Sequence, residues 1–438
     1  MPILLMQGME GGAFTLFYPR QDRFGMWPFL LARALGLQTP EAFHVVGVLA
    51  LCSGAVPLAA LLGNPIVGVV TLMVPLVLRP LMAQQFLQAG QPYLWQLVTL
   101  LWRWWGIRLA LEARSRRSAL LGVVAAGVFT ALSAWMNSFS LAIAVALVVI
   151  EAVRARAHPR KVLGPVAALA LAGLFEAWLR HRYNSTCRAR FGTTFVTSLR
   201  LDGGHLLENV PRAVVALWKM GGQVPLLLGA AMALVPGRSR AERIDQICLL
   251  VLALATLPAI VAVQYFRDNH FAGRYFAFAT FWAVAAAVLG GLQLLSLAAG
   301  QRAPWVRILA LGALVIAVPA GPADPLGPER AIARGLQAGG PTVLLADYWD
   351  VYVPASLAAP GRLWPIGAEP NMNRYPGSEQ ALQAGREVLV DCTLDRPDGT
   401  VEQYRALLRR TAAAPLPGAG LAWCPHRVER PVPSPRSP

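Results

Sequence analysis

Apolar residues run along this chain in blocks, not at the spacing of a surface helix or a half-buried strand. Blocks near 42–62, 65–82, 93–111, 118–136, 138–153, 162–179, 223–236, 246–265, 275–298 and 305–321 approach the length of about twenty residues that crosses a bilayer. Each is read as a membrane-spanning helix, about ten in all. The third block is interrupted by Arg103 and Arg108 and the seventh is short, so both are expected to be tilted, kinked or shielded by neighbours. From about Ala323 the pattern changes. Glu329 to Ala338 and Val401 to Arg410 look helical, Thr342 to Ala346 and Glu387 to Asp391 look like strands, and a small α/β domain fits them. Arg430 to Pro438 is rich in Pro and Ser and is expected to be disordered. The expected divisions are 1–40 as an acidic loop with an interfacial helix, 41–322 as the transmembrane domain, 323–430 as a soluble domain and 431–438 as a tail.

Charge assigns the sides. One alternate set of connections carries Arg114, Arg116 and Arg117; Arg154, Arg156, Arg160 and Lys161; Arg238, Arg240 and Arg243; and Arg302 and Arg307. Short cytoplasmic loops collect such residues, so this set is expected inside. The N-terminal segment, the connections at 83–92, 180–222 and 266–274, and the tail then face outward. Composition agrees: 56% of the residues are hydrophobic and 14% charged, against roughly a quarter charged in soluble domains. The net charge of +16 reads as topology and anionic-lipid contact, not as a nucleic-acid face. The five cysteines show no zinc spacing. Cys392 and Cys424 both fall in the external tail and are expected to bond if their strands are neighbours. Met1 to Leu5 is too short for a cleavable signal, and a helix preceding Met1 is expected, equally with a short tail that translocates unaided.

Polar residues gather on the outward face. The N-terminal segment holds Glu10 and, among Arg20 and Arg23, Asp22; its glycines and prolines disfavour a continuous helix, and Trp27 and Phe29 open an apolar stretch ending near Leu37 that suits the interface. A solvated salt-bridge cluster is the plainer account of the same charges. The string Asp268, Asn269, His270, Phe271 leads through Arg274 and Tyr275 into an apolar helix; a guanidinium there could grip phosphate, or simply snorkel beside an aromatic belt. Arg188 and Arg190 lie in the long outer loop, which is either a plain headgroup surface or a phosphate-binding one. Gln84 and Gln85 add hydrogen-bonding groups to the same side.

This arrangement resembles the GT-C superfamily of membrane glycosyltransferases. The matching features are the acidic loop around Glu10 and Asp22, the interfacial segment from Gly25 to Leu37, the loop with His270, Arg274 and Tyr275, and the tail string Ala346 to Tyr352. The resemblance implies an all-α polytopic membrane protein with a small C-terminal α/β extracytoplasmic domain. It further implies an inverting enzyme that takes a sugar from a polyprenyl-phosphate donor, with Glu10 or Asp22 as base and Arg20, Arg23, Gln84, Gln85, Arg188, Arg190, Asp268, His270, Arg274 and Tyr275 as substrate-binding candidates. No cofactor is certain and a divalent metal ion stays open. The acceptor is a glycan, lipid or protein, and the location is an inner, plasma-type membrane of a bacterial envelope. The competing readings are a transporter or flippase, which would carry polar groups deep in its spans, and a non-catalytic envelope assembly protein. Only Arg103, Arg108 and Glu176 stand out as charges at depth.

Overall fold

In the computed structural model of the protein, the described residues are 16–17, 25–37, 39–77, 92–137, 140–191, 203–219, 222–235, 239–255, 257–262, 276–317, 327–346, 351, 354–355, 357–358, 361–367, 378, 381–382, 384–392, 408–411, 416–418 and 421–428. The helices are α1 (Trp27–Ala34), α2 (Pro40–Leu62), α3 (Pro65–Val77), α4 (Pro92–Glu112), α5 (Arg116–Met136), α6 (Ser140–Ala155) and α7 (Pro159–Phe191), followed by α8 (Leu206–Lys219), α9 (Gln223–Ala233), α10 (Arg240–Leu254), α11 (Leu257–Ala262), α12 (Ala277–Ala299), α13 (Ala303–Ala317) and α14 (Gly327–Gln337).

Local chemistry sets the starts and stops. Helices α2, α3, α4 and α7 open on Pro40, Pro65, Pro92 and Pro159, where a missing N–H costs nothing and φ is already helical. The side chain of Thr39 accepts from the Ala42 N–H at the start of α2, Ser115 caps α5, and Ser239 forms a reciprocal capping box with Glu242 at α10. Gly63 ends α2 in the left-handed region, with φ of 66°, and turns the chain directly into α3.

Two helices organise the bundle. Helix α4 packs on α2, α5 and α6, and its contact with α5 is backbone to backbone: a Cβ on Gly106 would stand 2.6 Å from the Ala126 nitrogen, and one on Gly122 would collide with Ala110. Small residues let membrane helices approach in this way where the hydrophobic effect no longer drives association. Helix α12 is buried along most of its first half and packs on α3, α9, α10 and α13. Four helices, α2, α5, α7 and α12, are long and apolar enough to cross a membrane, and α8 with α9 would make a fifth span bent by 90°. The other predicted spans are occupied by helices that are shorter or carry charge. The protein is an integral membrane protein.

The expectation of a loop over 180–222 is corrected. Helix α7 continues to Phe191, and 206–219 forms α8. Its 33 residues make α7 about 50 Å long, more than the roughly 30 Å of a hydrocarbon core, so the second half of the helix projects beyond the apolar layer.

In the tail, β1 (Thr342–Ala346), β2 (Leu363–Gly367), β3 (Glu387–Asp391), β4 (Leu408–Arg410), β5 (Leu416–Gly418) and β6 (Leu421–Val428) form one sheet in the order β2-β1-β3-β6-β4, with β5 paired to β6. β1 runs parallel to β2 and β3, while β6 is antiparallel to β3. All five residues of β1 are buried, as a strand covered on both faces requires. β1 and β3 occupy the predicted positions; of the stretch from Val401 to Arg410 expected as helix, Leu408–Arg410 is a strand, where β6 supplies a paired edge, and the rest lies outside the described residues. That pairing also places Val390 opposite Cys424 and brings Cys392 and Cys424 to a Cα separation of 5.2 Å, where they form the expected disulfide.

Candidate active site

At the end of the bundle away from the basic connections, the chain before α1 is clamped. Phe17 and Gly25 form an isolated antiparallel bridge, and the Met26 N–H donates to the Leu16 carbonyl at 3.0 Å. Two tryptophans fix this bridge to α5. Trp135 Nε1 donates to the Leu16 carbonyl at 2.7 Å, and Trp27 Nε1 donates to the Leu132 carbonyl at 3.1 Å. Gly25 is obligatory, because a Cβ there would fall 2.5 Å from the Trp135 carbonyl oxygen. Phe17 is fully buried against Leu179, Tyr183 and Cys187, which recur at i, i+4 and i+8 on the projecting half of α7. Beneath them Arg180 bonds Glu176 at 2.5 Å and lays its guanidinium 5.9 Å from the Phe17 ring centroid. The chain therefore leaves and returns at two neighbouring, anchored points.

Residues 18–24 span those points, so Arg20, Asp22 and Arg23 belong to a segment whose two ends are held. These three, with Glu10, Gln84, Gln85, Asp268, His270, Arg274 and Tyr275, lie outside the described residues. Of the remaining candidates, Arg188 is exposed on α7, and Arg190 is on the same helix with its side chain outside the described set; both are helical, not in the loop expected from sequence. Phe276, directly after Tyr275, is fully buried with Ala213 and Ile260, which fixes the point where that strand of chain enters α12. Among the described residues no group of three or more His, Cys, Asp or Glu is placed to hold a metal ion.

Sequence reasoning missed a buried ion network at the opposite end. Arg108 on α4 donates to Glu151 on α6 at 2.6 and 2.9 Å, to Asp245 on α10 at 2.7 Å and to the Leu61 carbonyl at the end of α2. Trp104 Nε1 donates to the same Glu151, and Arg154 joins Glu112 and approaches Asp245 at 3.6 Å. Glu151 is wholly buried. In sequence it sits in an apolar run three residues before Arg154, where an ordinary solvated i,i+3 pair is the simplest reading. Arg103 is fully buried as well; its Nη1 donates to the Ser140 carbonyl at 2.8 Å.

No family model and no curated protein matches this chain. Among solved structures, ArnT from Cupriavidus metallidurans bound to undecaprenyl phosphate superposes over 100% of this chain and 93% of its own, with a TM-score of 0.50 and 11% identity. The Archaeoglobus fulgidus oligosaccharyltransferase in its apo form covers 89% of this chain and 64% of its own, with a TM-score of 0.42 and 14% identity. The agreement with ArnT extends over the whole chain, bundle and tail together. The chain therefore has a fold like that of ArnT.

Proposed function

We propose that the protein is a glycosyltransferase that takes a sugar from a polyprenyl-phosphate donor and passes it to a hydroxyl of an extracytoplasmic glycan, lipid or protein. The observation that supports this reading is the anchoring of Leu16, Phe17 and Gly25, the residues that flank 18–24 in the chain, at the end of the bundle away from the basic connections. The ArnT neighbour, bound to undecaprenyl phosphate, supports the choice of donor.

In this reading a carboxylate of the first segment, Glu10 or Asp22, accepts the proton of the acceptor hydroxyl. The hydroxyl oxygen attacks the anomeric carbon as the bond from that carbon to the phosphate oxygen breaks, with inversion, and the polyprenyl phosphate leaves. Arg274, with Arg188 and Arg190 on the projecting half of α7, stabilises the phosphate as its charge grows. Glu10 ranks first as base, since Asp22 between Arg20 and Arg23 is the better placed to be neutralised structurally. Gln84, Gln85, Asp268, His270 and Tyr275 complete the substrate-binding set. Residues 1–40 form the acidic loop and interfacial helix, 41–322 the transmembrane domain, 323–430 an extracytoplasmic domain over the donor side, and 431–438 a tail, in a bacterial inner membrane. A divalent metal ion stays a candidate cofactor.

A transport pathway would leave charges lining the interior. Here Arg108 is paired with Glu151 and Asp245 and Glu176 with Arg180, and Arg103, which bonds the Ser140 carbonyl, is the exception among the described charges at depth, a balance that favours the enzyme. The test is transfer from a polyprenyl-phosphate sugar by purified protein, with Glu10→Gln and Asp22→Asn each compared with wild type. Loss of turnover by Glu10→Gln with normal expression is expected. Near-normal turnover by that variant removes Glu10 from the mechanism, and absence of donor consumption by the wild type overturns the function.

A further inference from the structure

The basic connections are not alike. Where α4 passes to α5 and α6 passes to α7, Arg114, Arg116, Arg117, Arg156, Arg160 and Lys161 are all exposed, and none is paired with a carboxylate among the described residues. Glu112, the acid at the end of α4, is already taken by Arg154. Lys161 Nζ donates to the carbonyls of Leu111 and Ala113 at 3.4 and 3.3 Å, so the two connections are fastened into one surface. At the start of α10, by contrast, Arg240 and Arg243 have a carboxylate between them, Glu242, and in α13 Arg307 donates to the Ser296 hydroxyl.

Helix packing sets these cations at one level. A Cβ on Gly164 of α7 would stand 2.8 Å from Val123 of α5, and one on Gly127 of α5 would stand 3.3 Å from Ala168 of α7, so the two helices run parallel in a constant register. Carried back toward the helix starts, that register sets Arg117 level with His158 and Ala119 level with Arg160. Within the next two turns both helices expose apolar side chains: Leu120, Leu121 and Val124 on α5, Leu163 and Val166 on α7. Followed round from the seam at the helical repeat, these two faces lie on the same side of it, with Arg117 and Arg160 beneath them. Arg156 adds a backbone signal. The Ala157 N–H donates to the Ala152 carbonyl and the Arg156 N–H to the Val153 carbonyl, the Schellman closure of α6, and Arg156 takes the left-handed position, with φ of 47°, that glycine usually fills. The chain keeps a cation there at a cost to its backbone.

We propose that this surface is a seat for an anionic phospholipid of the leaflet it borders, with the headgroup phosphate on Arg116, Arg117, Arg156 and Arg160 and the acyl chains along the apolar faces of α5 and α7. A crowd of cations with no free carboxylate repels itself, and a phosphodiester relieves that repulsion while giving each guanidinium a forked partner. The dipoles of two parallel helices add positive potential at the same place. Cations directly beneath an exposed apolar face match a molecule that is anionic at one end and apolar at the other, as basic pockets beside membrane helices do. The seat is at the opposite end of the bundle from the clamped segment, and it stands whether or not the protein transfers sugar.

The test titrates the detergent-solubilised protein with phosphatidylglycerol, phosphatidylcholine or glycerol 3-phosphate and follows the melting temperature, whose rise reports binding to the folded state. Phosphatidylglycerol is expected to raise it, and the other two are not. Combining Arg116→Gln, Arg117→Gln and Arg160→Gln should weaken the apparent affinity for phosphatidylglycerol by about fivefold for each charge removed. Arg156→Gly is the sharper variant: it relieves the left-handed backbone, so its melting temperature without lipid should be no lower than that of the wild type while its lipid affinity falls, a combination that a folding defect does not produce. Arg240→Gln with Arg243→Gln, in a different basic connection, should keep wild-type affinity. A wild type that does not respond to phosphatidylglycerol overturns the seat, as does wild-type affinity in the triple variant. An equal loss in the Arg240 and Arg243 pair also overturns it, since overall charge is then responsible, and a response to glycerol 3-phosphate as strong as that to phosphatidylglycerol refutes the lipid as occupant.

Discussion

At the residue scale, the deciding fact is how each buried charge is compensated. Glu151 accepts from Arg108 and Trp104 together and is closed off from solvent, so its loss strands a cation. Glu151→Ala is expected to destabilise the protein by about 3–5 kcal/mol, as breaking one side of a buried pair does. Replacing both partners by apolar residues of similar size, as in Arg108→Met with Glu151→Leu, should cost much less. Glu112→Ala is the contrast: its side chain is 45% exposed, and the change should be worth no more than about 1 kcal/mol. Thermal unfolding in a constant detergent separates these cases, and equal losses for Glu151→Ala and Glu112→Ala would remove the network from the stability of the bundle. The charges at Arg103, Arg108 and Glu176 were visible in the sequence as anomalies at depth. Their partners were not, because Glu151 and Asp245 come from distant turns of chain and only the packing of α6 and α10 on α4 brings them to Arg108.

At the element scale, the close approach of α4 and α5 is the tightest constraint. A side chain at Gly122 meets the backbone of Ala110, which cannot yield as the tip of a flexible side chain can. Gly122→Val is therefore expected to lower stability by about 1–3 kcal/mol or more. Gly312→Ala on α13, where an added Cβ meets nothing, should be neutral or stabilising by up to about 1 kcal/mol. Similar melting temperatures for the two variants would count against the helix contact. The length of α7 matters in the same way: its projecting half supplies Tyr183 and Cys187 as a wall for Phe17, so an element expected as loop is the support for the proposed catalytic segment.

At the scale of the whole molecule, the network at one end and the clamped segment at the other give the bundle two unlike ends. The basic connections predict that single cysteines in 113–118 and 237–245 are protected from a membrane-impermeant reagent in intact cells, while single cysteines in the tail after Pro322 are labelled. Labelling of the first two with none in the tail would reverse the orientation. The disulfide between Cys392 and Cys424 ties the end of β3 to β6 across 32 residues. Its removal by Cys392→Ser with Cys424→Ser is expected to cost the tail about 2–4 kcal/mol. Limited proteolysis reads this directly, and unchanged resistance of the tail would show that the sheet holds without the bond.

The sequence by itself determined that this is a membrane protein, which end of each helix is basic, where most helices begin, and that Thr342–Ala346 and Glu387–Asp391 are strands. These follow from apolar length, from charge near the helix ends and from prolines and caps, all of which act within a few residues. Tertiary structure alone decided that α7 runs on to Phe191, that Leu408–Arg410 is a strand, and which carboxylates meet Arg108. It also decided that residues 18–24 are held at both ends, through a bridge between Phe17 and Gly25 and a tryptophan more than a hundred residues away. The physical reason is common to all four. Each depends on a contact between segments far apart in sequence, where packing and the need to satisfy buried polar groups outweigh the local preference of the chain.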